Sequence, residues 1–308
     1  MRLVFCGTAA FAVPSLQACA QHHEVVAVVT RADRPGSRGR PAPRPVGDAA
    51  AELDIPVLAP LKIRSPDVVA ALLDMRPDCL VVAAYGQILP STLIDAPPHG
   101  AVNVHASLLP RWRGASPIAH AILAGDTETG VSIMRMDSGL DTGPVYATAR
   151  VAIGPEATTP ALTTALAHLG AVTLIDVLTA LERGDIVAHP QPESGVTFAP
   201  RLGRDDGRVE WERRSAVEVD RMVRALQPWP GVVAPLEGVH VRLEQGVVTE
   251  GTDGAVPGAV LRHEGESVVV AAREGAYRAD MITPPGRRAM APAAFLRGRR
   301  PVSEAPTS

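Results

Sequence analysis

An α/β domain followed by a smaller β domain is predicted by three observations. Runs rich in β-branched residues alternate with helix-compatible stretches over the first two-thirds of the chain. The texture changes after Arg183-Gly184, and short alternating runs separated by glycine turns follow it.

Taken in order, strands are expected at Leu3 to Cys6, Val25 to Thr30, Cys79 to Ala84 and Ala101 to His105. Phe11 to Ala20 is helix-compatible. Ser65 to Met75 carries Val68, Val69, Leu72 and Leu73 at helical spacing behind Ser65-Pro66, a cap and first-turn pair. This alternation favours a parallel sheet covered by helices. Val131 to Met136 and Val145 to Val151 read as two further strands, and a long helical pattern from about Pro160 to Leu181 stops at Gly184. Pro190, Pro192, Gly195 and Pro200 then break any period, so 187–204 reads as a linker between a first domain over 1–186 and a second over 205–308. In the second domain, a helix from Ser215 to Leu226 accompanies short strands at Val239 to Leu243, Val256 to Leu261 and Ser267 to Val270. Short strands with frequent turns point to a small β-barrel.

Composition sets bounds on function. With 308 residues, 46% hydrophobic and 20% charged, the chain has the balance of a folded two-domain protein. Apolar runs fall short of the roughly 20 residues that span a bilayer, and no apolar leader precedes the first strand, so a cytoplasmic location without a membrane partner is expected. Cys6, Cys19 and Cys79 fit no metal spacing and read as buried thiols. His22-His23 lacks a third ligand, so no metal is expected. A net charge of −3 gives no global sign of nucleic-acid binding. Lys62 is the only lysine, and the arginine, alanine and proline bias reads as base composition.

One segment carries chemistry. In Val102-Asn103-Val104-His105, alternate side chains share a face, so an amide and an imidazole project together from an otherwise apolar strand. About thirty residues on, Ser138-Gly139-Leu140-Asp141-Thr142-Gly143 offers a carboxylate in a glycine-flanked loop. Alone, His105 reads as a core histidine and Asp141 as a turn residue. Together, Asn103, His105 and Asp141 suit acyl-type transfer: a neutral donor for an oxyanion, a proton-handling ring, and a carboxylate that orients charge or takes a proton.

The sequence resembles the methionyl-tRNA formyltransferases along essentially its whole length. The likeness rests on Gly7-Thr8, Asp33-Arg34-Pro35, Ala84-Tyr85-Gly86, Asn103 to Pro110, Arg111-Trp112-Arg113-Gly114 and Glu128-Thr129-Gly130-Val131. It continues through Met136-Asp137, Gly139 to Gly143, Trp211 and Pro228-Trp229-Pro230. It implies a Rossmann-like catalytic domain, an OB-like C-terminal barrel, and transfer of a formyl group from 10-formyltetrahydrofolate to the methionine amino group of initiator methionyl-tRNA. It also implies that Asn103, His105 and Asp141 are catalytic and that Ser107, Leu108, Leu109 and Pro110 line the folate pocket. Ala9-Ala10 and Arg40 depart from the family pattern, where a proline with an acid and a lysine are common.

Two basic segments bear on the acceptor. Arg31 to Val46 holds five arginines against Asp33, with four prolines and two glycines that oppose a helix. By resemblance this loop meets the acceptor stem, with Arg38 and Arg40 on phosphates. A second run comprises Arg287, Arg288, Arg297, Arg299 and Arg300. The second domain is nonetheless neutral overall, with fifteen arginines against fifteen acids from Arg204 to Ser308. Trp229 reads as a packed anchor at a helix end. A nicotinamide oxidoreductase is disfavoured, because Gly7-Thr8 lacks the rest of the glycine fingerprint. Two other readings remain: a formyl-folate-dependent transferase acting on a small-molecule amine, and a tRNA-binding protein without catalysis. No feature demands an interface, so a monomer is expected.

Overall fold

The computed structural model describes residues 1–32 and 44–297. Arg38 and Arg40 lie outside the described residues, as do Arg299 and Arg300. Two compact units are present. The first comprises Met1–Ala121, Thr127–Gly154 and Ala161–Pro200, and the second comprises Ile122–Asp126, Pro155–Pro160 and the chain from Arg201 onward.

In chain order the first part contains β1 (Arg2–Gly7), α1 (Val13–His22), β2 (Glu24–Val29), α2 (Pro45–Glu52), β3 (Val57–Leu58), α3 (Pro66–Asp74), β4 (Cys79–Ala83) and α4 (Ser91–Asp95). It continues with β5 (Ala101–His105), β6 (Arg113–Gly114), α5 (Pro117–Ala124), β7 (Glu128–Arg135), β8 (Val145–Ala152), α6 (Thr159–Arg183) and β9 (Phe198–Ala199). Seven strands form one sheet in the order β3-β2-β1-β4-β5-β7-β8. The expectation of a parallel sheet holds for β3, β2, β1, β4 and β5. β7 pairs antiparallel with β5, and β8 with β7. The connection from β7 to β8 is too short for the crossover of about a dozen residues that a parallel pair needs.

The central strands are apolar on both sides, as a helix-covered sheet requires. All of β4 is buried, and Val4, Cys6, Leu80, Val82, Leu72 and Leu93 share one core cluster. Helix α3 starts at Pro66 as its sequence predicts, although the Ser65 hydroxyl makes no capping bond. By length and apolarity α6 could cross a membrane, which the sequence reading did not anticipate. Its buried stripe runs through Leu162, Leu166, Gly170, Leu174 and Leu178. At Gly170 the helix comes so close to the sheet that an added Cβ would stand 2.8 Å from Val104 Cγ1. That contact backs β5 on the face opposite Asn103 and His105.

The stretch 187–204, read as a linker, is largely a strap fastened to the first unit. His189 pairs with Val145, β9 pairs in parallel with β6, and Ala199 is fully buried. The bonds that fasten it to the first unit go to partners distant in sequence, so no local period announces them.

The second unit contains α7 (Ala216–Ala225), β10 (Val232–Leu236), β11 (Val239–Thr249), β12 (Val260–Glu264), β13 (Ser267–Ala271), β14 (Ala276–Thr283) and α8 (Pro292–Arg297). Its strands form an antiparallel sheet in the order β10-β11-β14-β13-β12, and among the described residues no pairing joins β12 back to β10. β10 and β14 were not foreseen. Pro235 obscured β10, yet proline is tolerated on an edge strand. Ser215 and Glu218 close a reciprocal capping box on α7. Trp211 is 1% exposed and donates from Nε1 to the Pro235 carbonyl at 2.9 Å. Trp229, expected to be packed, is 53% exposed.

Candidate active site

The carboxyl ends of the parallel strands meet at one edge of the sheet, where open α/β sheets place their ligands. Thr8, just after β1, ties three of these ends together. Its hydroxyl donates to the Tyr85 carbonyl beyond β4 at 2.8 Å and accepts from the Arg31 N–H beyond β2 at 3.3 Å. Burial pushes up the Tyr85 phenol and the Cys6 thiol, the latter to about 12, so neither ionises near neutrality.

On β5, Val102 and Val104 face the core at 0% and 3% exposure, while Asn103 is half-buried. Among the described residues no protein group hydrogen-bonds the Asn103 amide, so both of its N–H donors are available. His105 is 6% exposed and pairs in register with Ser132 of β7. Its Nε2 lies 3.0 Å from the Trp112 carbonyl. A carbonyl only accepts, so this bond puts a proton on Nε2 and leaves Nδ1 as the ring's working nitrogen. Nδ1 stands 3.7 Å from Asp141 Oδ2, an ion-pair distance longer than a hydrogen bond. Asp141 thus faces the imidazole, and the Trp112 carbonyl orients it.

Asp141 sits at φ 51°, in the left-handed region that costs a non-glycine residue roughly 1–2 kcal/mol. Several bonds hold it there. Its Oδ2 accepts from the Gly114 N–H at 2.8 Å, and its carbonyl accepts from Gln191 Nε2 at 2.8 Å. Asp137 closes the loop from the other side by accepting from the Gly139 N–H and the Thr142 hydroxyl. A Cβ at Gly143 would fall 1.8 Å from the Arg135 carbonyl oxygen, so only glycine fits the loop's return.

Ser107 to Pro110 turns away from the strand end, as expected, with a cis bond between Leu109 and Pro110. Ser132, fully buried, pins the turn by donating to the Ser107 carbonyl at 2.7 Å and accepting from the Leu109 N–H at 3.0 Å. The Ser107 hydroxyl is spent on the Arg111 carbonyl at 2.6 Å, and Leu108 is left half-buried. Beyond the turn, Trp112 adopts φ 63° and donates its N–H to Thr197 Oγ1 at 2.9 Å. Its ring lies under the Arg111 guanidinium at 4.5 Å and near the His120 ring at 5.8 Å.

The structure therefore brings His105 and Asp141 together, with Asn103 on the same strand face. Sequence reasoning missed Ser132, Trp112, Gln191 and Thr197. A serine inside the apolar run Val131 to Met134 was a readable signal, but the others act through the backbone or across long sequence separations. Among the described residues no group of three or more potential ligands could hold a metal ion. In the second unit, Arg297 of the basic run donates from Nη2 to both carboxylate oxygens of Glu266 at 2.9 Å, and Arg224 and Arg278 pair with Asp220 and Asp280.

Comparison with known proteins bears on this arrangement. A sequence profile of the family described as formyl transferase matches residues 1–178, and one for the formyl transferase C-terminal domain matches 201–300. The methionyl-tRNA formyltransferase of Xanthomonas euvesicatoria pv. vesicatoria is 48% identical over 302 residues, covering 97% of this chain and 98% of that protein. The chain belongs to the methionyl-tRNA formyltransferase family. Another methionyl-tRNA formyltransferase, from Stenotrophomonas maltophilia, is 46% identical over 97% of this chain and 98% of its own length. Among solved structures, an N-formyltransferase of Helicobacter canadensis, in complex with folinic acid and dTDP-3-aminofucose, matches with TM-score 0.67 at 15% identity. It covers 92% of this chain and 98% of that one. Aquifex aeolicus HypX in complex with tetrahydrofolic acid matches at TM-score 0.63 and 20% identity over 97% of this chain and 47% of the larger protein. These two likenesses establish the formyltransferase family's fold.

Proposed function

We propose that this chain, acting as a cytoplasmic monomer, transfers the formyl group of 10-formyltetrahydrofolate to the methionine amino group of initiator methionyl-tRNA, for translation initiation. The observation that carries the reading is the pairing of His105 Nδ1 with Asp141 beside an Asn103 amide that no group among the described residues hydrogen-bonds, in a chain 48% identical to a methionyl-tRNA formyltransferase over 302 residues.

The neutral amine attacks the formyl carbon, and the carbonyl electron pair moves onto oxygen. Asn103 Nδ2 and protonated His105 Nδ1 donate hydrogen bonds to that oxygen. At 3.7 Å from Asp141 the Nδ1–H makes no full hydrogen bond to the carboxylate and is left to donate to the oxyanion, while the carboxylate still stabilises the imidazolium charge. Asp141 takes the proton lost by the attacking amine, directly or through water. The oxyanion pair then re-forms the carbonyl of the new formamide as the carbon–nitrogen bond to the folate breaks, the pair of that bond leaves with the folate nitrogen, and His105 supplies the proton that nitrogen needs.

Ser107, Leu108, Leu109 and Pro110 line the donor pocket. Their position at the carboxyl end of β5 and the half-buried Leu108 side chain support that role. Arg38 and Arg40 contact RNA phosphates, supported by the local excess of arginine, and the second unit serves as an OB-like RNA-binding module, supported by its five antiparallel strands.

The test is incubation with 10-formyltetrahydrofolate and either methionyl-tRNA or small amines such as amino-sugar nucleotides. Formylated methionyl-tRNA is the expected product, formed with salt-sensitive affinity. Transfer to the small amine alone would favour the other transferase reading, and no transfer to either would leave only RNA binding.

A further inference from the structure

We infer that Gln191, in the strap, is a positioning residue for Asp141 and works as one unit with Arg113. This rests on the role proposed for Asp141 and goes beyond it by naming what holds that carboxylate in place.

Every polar atom of the Gln191 side chain is committed. Nε2 donates to the carbonyls of Asp141 and Gly143, both at 2.8 Å, and Oε1 accepts from Arg113 Nε at 3.1 Å and Nη2 at 2.7 Å. Guanidinium groups only donate and carbonyls only accept, so this environment fixes which way the amide points. Arg113 and Gly114 together form β6. One reaches Gln191 through its side chain, while the other donates its N–H to the Asp141 carboxylate at 2.8 Å. A closed ring results, running from Arg113 to Gln191, to the Asp141 backbone, through the Asp141 side chain and back to Gly114. β6 is in turn laddered onto β9 of the same strap.

The ring has a physical purpose. A left-handed aspartate persists only where its surroundings over-determine it. Without Gln191, the two loop carbonyls lose their donors and the remaining bonds no longer fix the carboxylate against His105. Displacements of about 1 Å from remote changes can cost on the order of 100-fold in rate. The loss should fall on kcat, because every polar side-chain atom of Gln191 is bound to the loop or to Arg113 and none is left over for a substrate.

The experiment is steady-state kinetics with 10-formyltetrahydrofolate and methionyl-tRNA on four forms of the full chain beside the wild type: Gln191→Leu, Gln191→Glu, Asp141→Asn, and Gln191→Leu combined with Asp141→Asn. Gln191→Leu is expected to lower kcat by about 10- to 100-fold, with both KM values within about twofold of wild type. In the Asp141→Asn background the same change should have little further effect, because its route runs through Asp141. Should the leucine variant fail to fold, Gln191→Glu keeps the bond to Arg113 while turning a carboxylate oxygen on the two carbonyls, and the same kcat loss is expected. Wild-type kcat in either folded variant, or losses that multiply fully in the double variant, overturns the inference. Wild-type turnover by Asp141→Asn alone sinks the underlying reading of Asp141 instead, so the two failures are distinguishable.

Discussion

Strand β5 and the Asp141 loop present their polar groups by opposite means. Asn103 and His105 ride on a strand hydrogen-bonded on both sides, to β4 and β7, and backed by Gly170 of α6. Asp141 sits in a left-handed conformation held by side-chain and backbone bonds from Gly114 and Gln191 and closed by Asp137. On β5 the geometry is generic and the side chains are the specific element. In the loop, the geometry itself has to be specified. A side-chain change on the strand should therefore cost chemistry without stability, whereas a backbone change in the loop should cost both.

The largest effect tests the strand. Asn103→Ala should lower kcat by about 10²–10³-fold, the usual cost of losing one oxyanion donor, while leaving the melting temperature unchanged because the amide has no protein partner among the described residues. A large fall in stability would show that the strand needs this side chain after all, and the contrast would fail.

Next comes the loop. Gly143→Ala places a methyl on the Arg135 carbonyl, and overpacking of this kind costs roughly 1–3 kcal/mol. Thermal melting should report that loss together with a reduced kcat. Retention of both would mean the loop has slack that the structure does not show.

Ser132→Ala lies between the two regions. It strips the Ser107 carbonyl and the Leu109 N–H of a shared buried partner, a loss of about 1–3 kcal/mol. Denaturant unfolding measures it, and KM for the folate should rise if the 107–110 turn lines that pocket.

The smallest effects belong to the second unit and serve as a control. Ser215→Ala removes half of the α7 capping box and should cost about 1 kcal/mol with kcat unchanged. The Ser215 backbone N–H holds the Glu218 carboxyl below the ordinary carboxylate range. Its folded pKa lies below its unfolded one, so its stabilisation is present above the unfolded pKa and is lost as pH falls through the folded value. Glu218→Gln should flatten that acid-side decline in melting temperature. An unchanged slope would show that the carboxyl contributes little.

The same contrast explains what the sequence could disclose. Strands β1, β2, β4 and β5 were legible as runs rich in β-branched residues, and α3, α6 and α7 because their apolar residues repeat at the helical period. Asn103 and His105 stood out as polar residues in such a run. Asp141 was visible only through the glycines around it and the family motif, because no periodicity predicts a φ of 51°. The antiparallel return at β8 followed from a short connection whose consequence for direction was not drawn. The strap escaped altogether. Proline-rich, aperiodic sequence reads as linker, and the bonds of Gln191 and Thr197 span 48 to 87 residues. The open ladder of the second unit depends on which edges pair, and short alternating runs do not specify that.

The strap also sets an order of assembly during synthesis. Trp112, whose carbonyl fixes His105, is itself held by Thr197, and Gly114 is laddered to Ala199. A growing chain therefore contains Asn103, His105 and Asp141 long before their alignment is secured. On the roles proposed for them, that alignment is complete only once residue 199 has left the ribosome and folded back on residues made far earlier.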